Sequence, residues 1–326
     1  MKDRVCLTTF VYGEKYQDYI PLLLYSCKKA YPEYDIVLFL YEPLRTDIKR
    51  ILDEIGIDLS GVIIKENAYH HIGKMDSWIC RTIRWTLWDE SFNKYDYLYI
   101  IDIDMFYIKE PVAIHEQHKI HMEVLGLPFS NVKRHSYVKS RDKLNILRRL
   151  KHAGLINFIE FLNSHGKEQN RVTGLHFVDI KKYYTILDKS MRDSIEKMIS
   201  NKNIYKYVNE PNDEVILGTI LSTFMEFDMN QLAYQEVQSI VLDFNNFDKK
   251  EFRPHHGIHL GIFRTETERF NSDTLTILNS NAYAYYINYL RDNILKDEMY
   301  KHIYSLLPES PKILMNRLLH FYNLPH

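Results

Sequence analysis

Tyr97-Leu98-Tyr99-Ile100-Ile101-Asp102-Ile103-Asp104-Met105-Phe106 decides the fold. The first five residues are aromatic or β-branched apart from Leu98, the pattern of a buried strand. Two carboxylates follow at i and i+2, and alternation along an extended chain would put both on one face. Val5–Tyr12 reads as a first strand, Asp35–Tyr41 as a second and Gly61–Lys65 as a third. Between them, apolar residues recur at helical spacing over Tyr19–Ala30, Thr46–Ile55 and Asp76–Trp88. Strands alternating with helices of this length imply βαβ units and a largely parallel central sheet, an α/β fold of Rossmann type. In such a sheet the ligand crevice lies beyond the carboxyl ends of the strands. Asp102 and Asp104 are therefore placed at a ligand. Paired carboxylates repel each other, and desolvation adds to the cost. A hard divalent cation removes both problems and can clamp a diphosphate. A strand end that merely sets two acids in water is the plain alternative.

The rest of the chain is less regular. Lys133–His152 carries eight Lys or Arg against one acid, Asp142, with leucines at 144, 147 and 150. That is a solvated face, a cover over an acceptor groove, or a surface for anionic lipid. A short strand is expected at Leu175–Ile180 and a helix at Asn212–Phe224. The last 60 residues read as helical, ending in an apolar and basic helix at Ile313–Phe321.

Bulk properties exclude several classes. The formal charge is −1 over 326 residues, against the basic bias of a nucleic-acid binder. Three scattered cysteines, Cys6, Cys27 and Cys80, fit a reducing compartment. No secretion signal opens the chain, and no run reaches the roughly 20 apolar residues of a membrane span. The expectation is a cytoplasmic protein, either free or peripheral at the inner face of the membrane.

Four segments in this order resemble GT-A glycosyltransferases, and family-eight enzymes such as glycogenin and the lipopolysaccharide galactosyltransferases in particular. Lys94-Tyr95-Asp96-Tyr97 running into Asp102-Ile103-Asp104 resembles their Asp-x-Asp strand. Arg171-Val172-Thr173-Gly174-Leu175-His176-Phe177 resembles the segment lining donor sugar and acceptor. Asn212-Asp213-Glu214-Val215 resembles the Asp-Gln helix start, with Glu214 where the family has Gln. Arg253-Pro254-His255-His256-Gly257-Ile258-His259-Leu260-Gly261-Ile262-Phe263-Arg264 resembles the late His-x-x-Gly-x-x-Lys segment, with Arg264 for lysine.

The resemblance implies a GT-A catalytic domain at 1–265. Its nucleotide-sugar half covers about 1–110 and its acceptor half about 111–265. Past the last of these motifs, the helices over 266–326 read either as an appendage for a homodimer or peripheral membrane contact or as helices packed on the domain's own core. It implies Mn²⁺, or Mg²⁺, held by Asp102, Asp104 and His259, with His256 the second choice of histidine. Thr8, Thr9, Tyr12, Arg84, Asp102 and Arg264 would meet the nucleotide-sugar donor, a UDP-sugar by the same resemblance. Thr173, Gly174 and His176 would line the substrate. Asp213 and Glu214 would be the catalytic pair acting on a hydroxyl of a glycan or lipid-linked acceptor, in surface polysaccharide synthesis. Glu214 leaves both retention and inversion of the anomeric centre open. Two rivals are a haloacid-dehalogenase-like phosphatase, disfavoured by Phe106 where that motif needs Thr or Val, and an inactive GT-A scaffold. A nucleotidyltransferase is disfavoured because Gly13 stands alone after the first strand.

Overall fold

The computed structural model describes residues 3–136, 169–208, 212–232 and 256–325. The basic stretch is described only as far as residue 136, so its leucine-bearing part lies outside the described residues. Strands β1 (Val5–Val11), β2 (Asp35–Leu40), β3 (Val62–Lys65) and β4 (Tyr97–Ile100) fall close to their predicted places. They form the parallel part of a six-stranded sheet. Two further strands complete it, β6 (Phe129–Ser130) and β9 (His176–Asp179), in the order β3-β2-β1-β4-β9-β6. β9 runs antiparallel to both neighbours. β5 (Met105–Phe106) lies before β6 in sequence, and β7 (Lys133–Ser136) and β8 (Gln169–Val172) lie between β6 and β9. β7 pairs with β8, and β5 pairs with β10 (Ile258–His259).

Alternation along the strands divides the core in two. Val5, Leu7, Val11, Tyr99 and Ile101 join one apolar cluster. Cys6, Phe10, Leu98 and Ile100 join another. Side chains of successive strand residues point to opposite faces, so each strand feeds both layers. Helix α1 (Ile20–Ala30) is buried along nearly its whole surface, including Ile20, Leu22, Leu23, Leu24 and Tyr25. A helix that is apolar all round needs cover on both sides. The sheet supplies one cover and the C-terminal helices supply the other.

This corrects the expectation of a separate appendage at 266–326. The C-terminal helices are Ser272–Leu278, Asn281–Tyr289, Glu298–Leu306 and Glu309–Phe321. Leu278, Tyr286, Ile303, Leu314, Met315 and Leu318 from them share one cluster with Leu7, Leu23 and Ile36. Helix Glu298–Leu306 packs on α1 and on Thr46–Ile55. The basic and apolar mix that suggested an interfacial helix is that of a core helix with one wet face: Leu314, Met315, Leu318 and Leu319 are buried, and Ile313 is exposed. No helix among the described residues is long and apolar enough to cross a membrane.

Candidate active site

β1 has β2 on one side and β4 on the other, so the strand order reverses between β1 and β4. At such a switch point the two crossover connections part and leave a crevice past the carboxyl ends. A cavity of about 520 Å³ opens there, within the usual range for a small-molecule site. Thr9, Phe10 and Tyr12 reach it from the end of β1, and Asp102 and Asp104 from just beyond β4.

The two aspartates do not arrive by strand alternation. β4 stops at Ile100, and residues 101–104 turn out of the sheet into β5. The turn is fastened by Ile101 N–H donating to the Thr8 carbonyl at 2.9 Å and by Leu260 N–H donating to the Asp104 carbonyl at 2.9 Å. Pairing of Met105 with His259 then carries the histidine to the acid turn. His259 Nε2 lies 3.3 Å from Asp104 Oδ1, and Arg264 Nη2 lies 2.7 Å from Asp104 Oδ2. One ligand atom from each of Asp102, Asp104 and His259 falls within 4.8 Å of the others. Gly261 leaves room beside them: a Cβ there would come within 2.5 Å of Asp104 Oδ2 and 2.8 Å of His259 Nε2, so any side chain would push the two groups from their places.

Electrostatics follows from this packing. Burial alone would raise the Asp104 carboxyl. The His259 imidazole, both as a charge and as a hydrogen-bond partner, and Arg264 outweigh burial and hold Asp104 at about 2. Burial would likewise depress His259, and Asp104 reverses the shift to a raised value. Arg84 is buried and ion-paired with both Asp102 and Asp213, the latter at 2.6 Å. Its burial works against the charge, and Asp102 first and Asp213 second keep it protonated. Its guanidinium also stacks 4.2 Å from the Trp85 ring centroid.

Asp213 and Glu214 begin the helix Asp213–Thr219 in the active-site wall. Asn212, not Asp213, caps it, accepting from Glu214 N–H at 2.8 Å. That leaves the Asp213 carboxylate for Arg84. Glu214 accepts from Arg171 and, at 3.2 Å, from Gly174 N–H. A Cβ at Gly174 would sit 2.8 Å from Arg84 Nη2, so the glycine lets the guanidinium lie against the backbone.

Three predicted contacts are corrected. Thr8 is buried and donates its hydroxyl to the Val37 carbonyl at 2.8 Å. Consecutive strand residues face opposite ways, so Thr8 and Thr9 cannot serve one ligand together. Thr173 is buried and donates to Asn131 Oδ1 at 2.7 Å. His176 is buried between Asn131 Nδ2 at 3.0 Å and Tyr183 Oη at 3.1 Å. Of that segment only Gly174 lines the cavity. His256 is also buried, with Nδ1 3.0 Å from the Glu110 carboxyl, and is no part of the lining. Tyr16, Ser77, Cys80 and Arg81 line the cavity without having been singled out as ligand contacts. Ser77, Cys80 and Arg81 share one face of the helix Ser77–Ile83 at spacings of three and four. Burial raises the Cys80 thiol, so it is an inert wall rather than a nucleophile.

His176 gives a stability prediction. Burial, then the charge of Arg84, lowers its imidazole to about 3 from an ordinary 6.5. Between those values the unfolded chain binds a proton that the folded chain refuses. Stability therefore falls as pH drops from 6.5 toward 3. At pH 5 the loss from this residue is about 2 kcal/mol. Urea midpoints at pH 7.5 and pH 5 should differ accordingly, and His176→Gln should shrink the difference. An unchanged difference would show that other groups set the acid limb.

No family model matches the chain, and no curated protein matches it in sequence. Solved structures with a similar course do exist, and those below are glycosyltransferases. The mannosyltransferase Ktr4p from S. cerevisiae in complex with GDP is 11% identical, with a TM-score of 0.45 over 72% of this chain and 69% of that one. The galactosyltransferase LgtC, solved with donor and acceptor sugar analogues, is 11% identical, with a TM-score of 0.37 over 72% and 74%. Core-mannan synthase A from Aspergillus fumigatus, in an Mn/GDP form, is 10% identical, with a TM-score of 0.39 over 67% and 70%. The likeness is one of fold.

Proposed function

We propose that the cavity is the active centre of a glycosyltransferase that takes a nucleotide-sugar donor together with a divalent cation. The observation that carries this reading is the convergence of Asp102, Asp104 and His259 with Arg84 and Arg264 at the sheet's switch point. The donor set suits a cation such as Mn²⁺, or Mg²⁺ as second choice. Two carboxylates and one imidazole point together, one carboxylate is held ionised, and Gly261 leaves the space between them open. Bound there, the cation would supply Lewis-acid stabilisation of a leaving diphosphate.

The chain's own groups do the rest. Arg264 is half exposed over the cavity and brings a guanidinium fork to a phosphate. Arg84, held against Asp102, adds positive charge from the floor. Thr9 and Tyr12 stand at the end of β1, where a nucleoside would lie. Tyr12 Oη is fixed by donating to the Met75 carbonyl at 2.7 Å, which sets its ring as a wall. Gly174, Asp213 and Glu214 close the opposite side, where a hydroxyl of a glycan or glycolipid acceptor would enter. Both carboxylates there hold arginine partners, which suits them to orient a hydroxyl or the donor sugar.

A panel of UDP-, GDP-, CDP- and dTDP-sugars with Mn²⁺ tests the reading by release of the nucleotide product. At least one donor is expected to be turned over, with a UDP-sugar first, and EDTA should stop it. A panel that is neither turned over nor bound by calorimetry would overturn the assignment and leave an inactive scaffold. NMR of the first product would then read whether the anomeric configuration is kept.

A further inference from the structure

Behind the cavity a buried polar network ties the His259 strand to the C-terminal helices. The Glu110 carboxyl is 2% exposed. It accepts from His256 Nδ1, 3.0 Å from both oxygens, from Gln117 Nε2 at 2.6 Å and from Tyr286 Oη at 2.8 Å. His256 lies three residues before His259. Three residues on, in β10, the His259 backbone N–H donates to Tyr283 Oη at 3.4 Å. Tyr283 and Tyr286 belong to one helix, Asn281–Tyr289. A single helix therefore grips the segment 256–259 twice, directly at His259 and through Glu110 at His256. Between the two grips Gly257, at φ +76°, lies flat on the acid-turn strand, where a Cβ would come within 2.5 Å of the Phe106 carbonyl.

A buried network of this kind adds little net stability over a well-packed apolar fill, because its groups give up hydration. What it does supply is one defined arrangement, since each hydrogen bond is directional and unmade ones are costly. The arrangement fixed here is the height of the His259 ring against Asp104. We infer that Glu110, Tyr283 and Tyr286 are positioning residues that set the cation affinity of the site from outside it. The inference rests on the reading that Asp102, Asp104 and His259 hold a divalent cation. Partners one layer beyond the ligands commonly change metal affinity by about 10–100-fold, and these act one layer further out.

The test titrates Mn²⁺ into the full chain and follows the free-ion EPR signal. Tyr286→Phe and Glu110→Gln are expected to raise the Mn²⁺ dissociation constant about threefold to tenfold. Turnover at saturating Mn²⁺ should change much less, which a loss of overall stability would not produce. Tyr304→Phe removes a hydroxyl that bonds Asn316 in the same helical layer. It should lower the melting temperature and leave the Mn²⁺ constant unmoved. If His259→Ala binds Mn²⁺ as the wild type does, the cation reading and this inference fall together. If His259→Ala loses Mn²⁺ while Tyr286→Phe and Glu110→Gln keep wild-type affinity, the inference alone falls and the network is packing. Should Glu110→Gln fail to fold, Tyr286→Phe decides, since it deletes one oxygen and keeps the ring.

Discussion

Asp104→Asn is expected to lower sugar transfer by about a thousandfold or more while the protein still folds, because several kcal/mol of leaving-group stabilisation disappear with the cation. Asp104 faces His259 and Arg264 at once, so its amide counterpart would lose both a ligand charge and the partner of two cationic groups. Asp102→Asn should act in the same direction, and more weakly on the fold, since Asp102 is the more exposed of the two. Steady-state release of nucleotide product, with Mn²⁺ varied, checks this. Activity in Asp104→Asn within tenfold of wild type, or full wild-type activity in EDTA, would remove the cation from the mechanism.

Deleting Ser310–His326 is expected to prevent cooperative folding, not to spare the catalytic unit. The segment buries Pro311, Leu314, Met315, Leu318 and Leu319. Truncating one buried leucine or methionine typically costs about 2–5 kcal/mol. Losing four such side chains together, about 8–20 kcal/mol on that scale, is as large as the roughly 5–15 kcal/mol that hold an ordinary domain. The same helix also donates from Arg317 to the carbonyls of Phe263 and Arg264, at 3.1 and 2.9 Å, and so supports the loop that ends in Arg264. Near-UV circular dichroism and a urea melt of the truncated chain are the measurements. A soluble, cooperatively melting product with wild-type turnover would restore the tail as an independent appendage.

Much of the frame was legible from sequence because strand and helix periodicities are local. β1 to β4 and the helix at Thr46–Ile55 begin and end within about two residues of where periodicity puts them. The position of the acid pair at a strand end was legible for the same reason. The reversed direction of β9 was not, because alternation is identical in parallel and antiparallel strands. Thr173 and His176 misled for a related reason: hydroxyl and imidazole look like ligand groups, but Asn131, about 40 residues earlier, satisfies both inside the core. The tail misled because an amphipathic helix with basic residues reads alike on a membrane and on its own domain. The double pairing of Arg84 with Asp102 and Asp213 joins residues more than 100 positions apart, and no local pattern announces such a contact.

The pairing of β5 with β10 has a temporal side as well. Met105 and His259 are separated by about 150 residues. On a ribosome adding roughly 5–20 residues per second, the acid turn emerges some 8–30 s before its histidine partner. During that interval the βαβ layers up to β4 can form, since their contacts are nearer in sequence, but a three-ligand cation site cannot. The helix that grips His259 is made later still. A nascent or interrupted chain thus has the sheet's crevice without the complete set of Asp102, Asp104 and His259, and a cation bound by the proposed site would stabilise only the finished molecule. The pairing that brings His259 to the acid turn can form only once the chain is nearly complete.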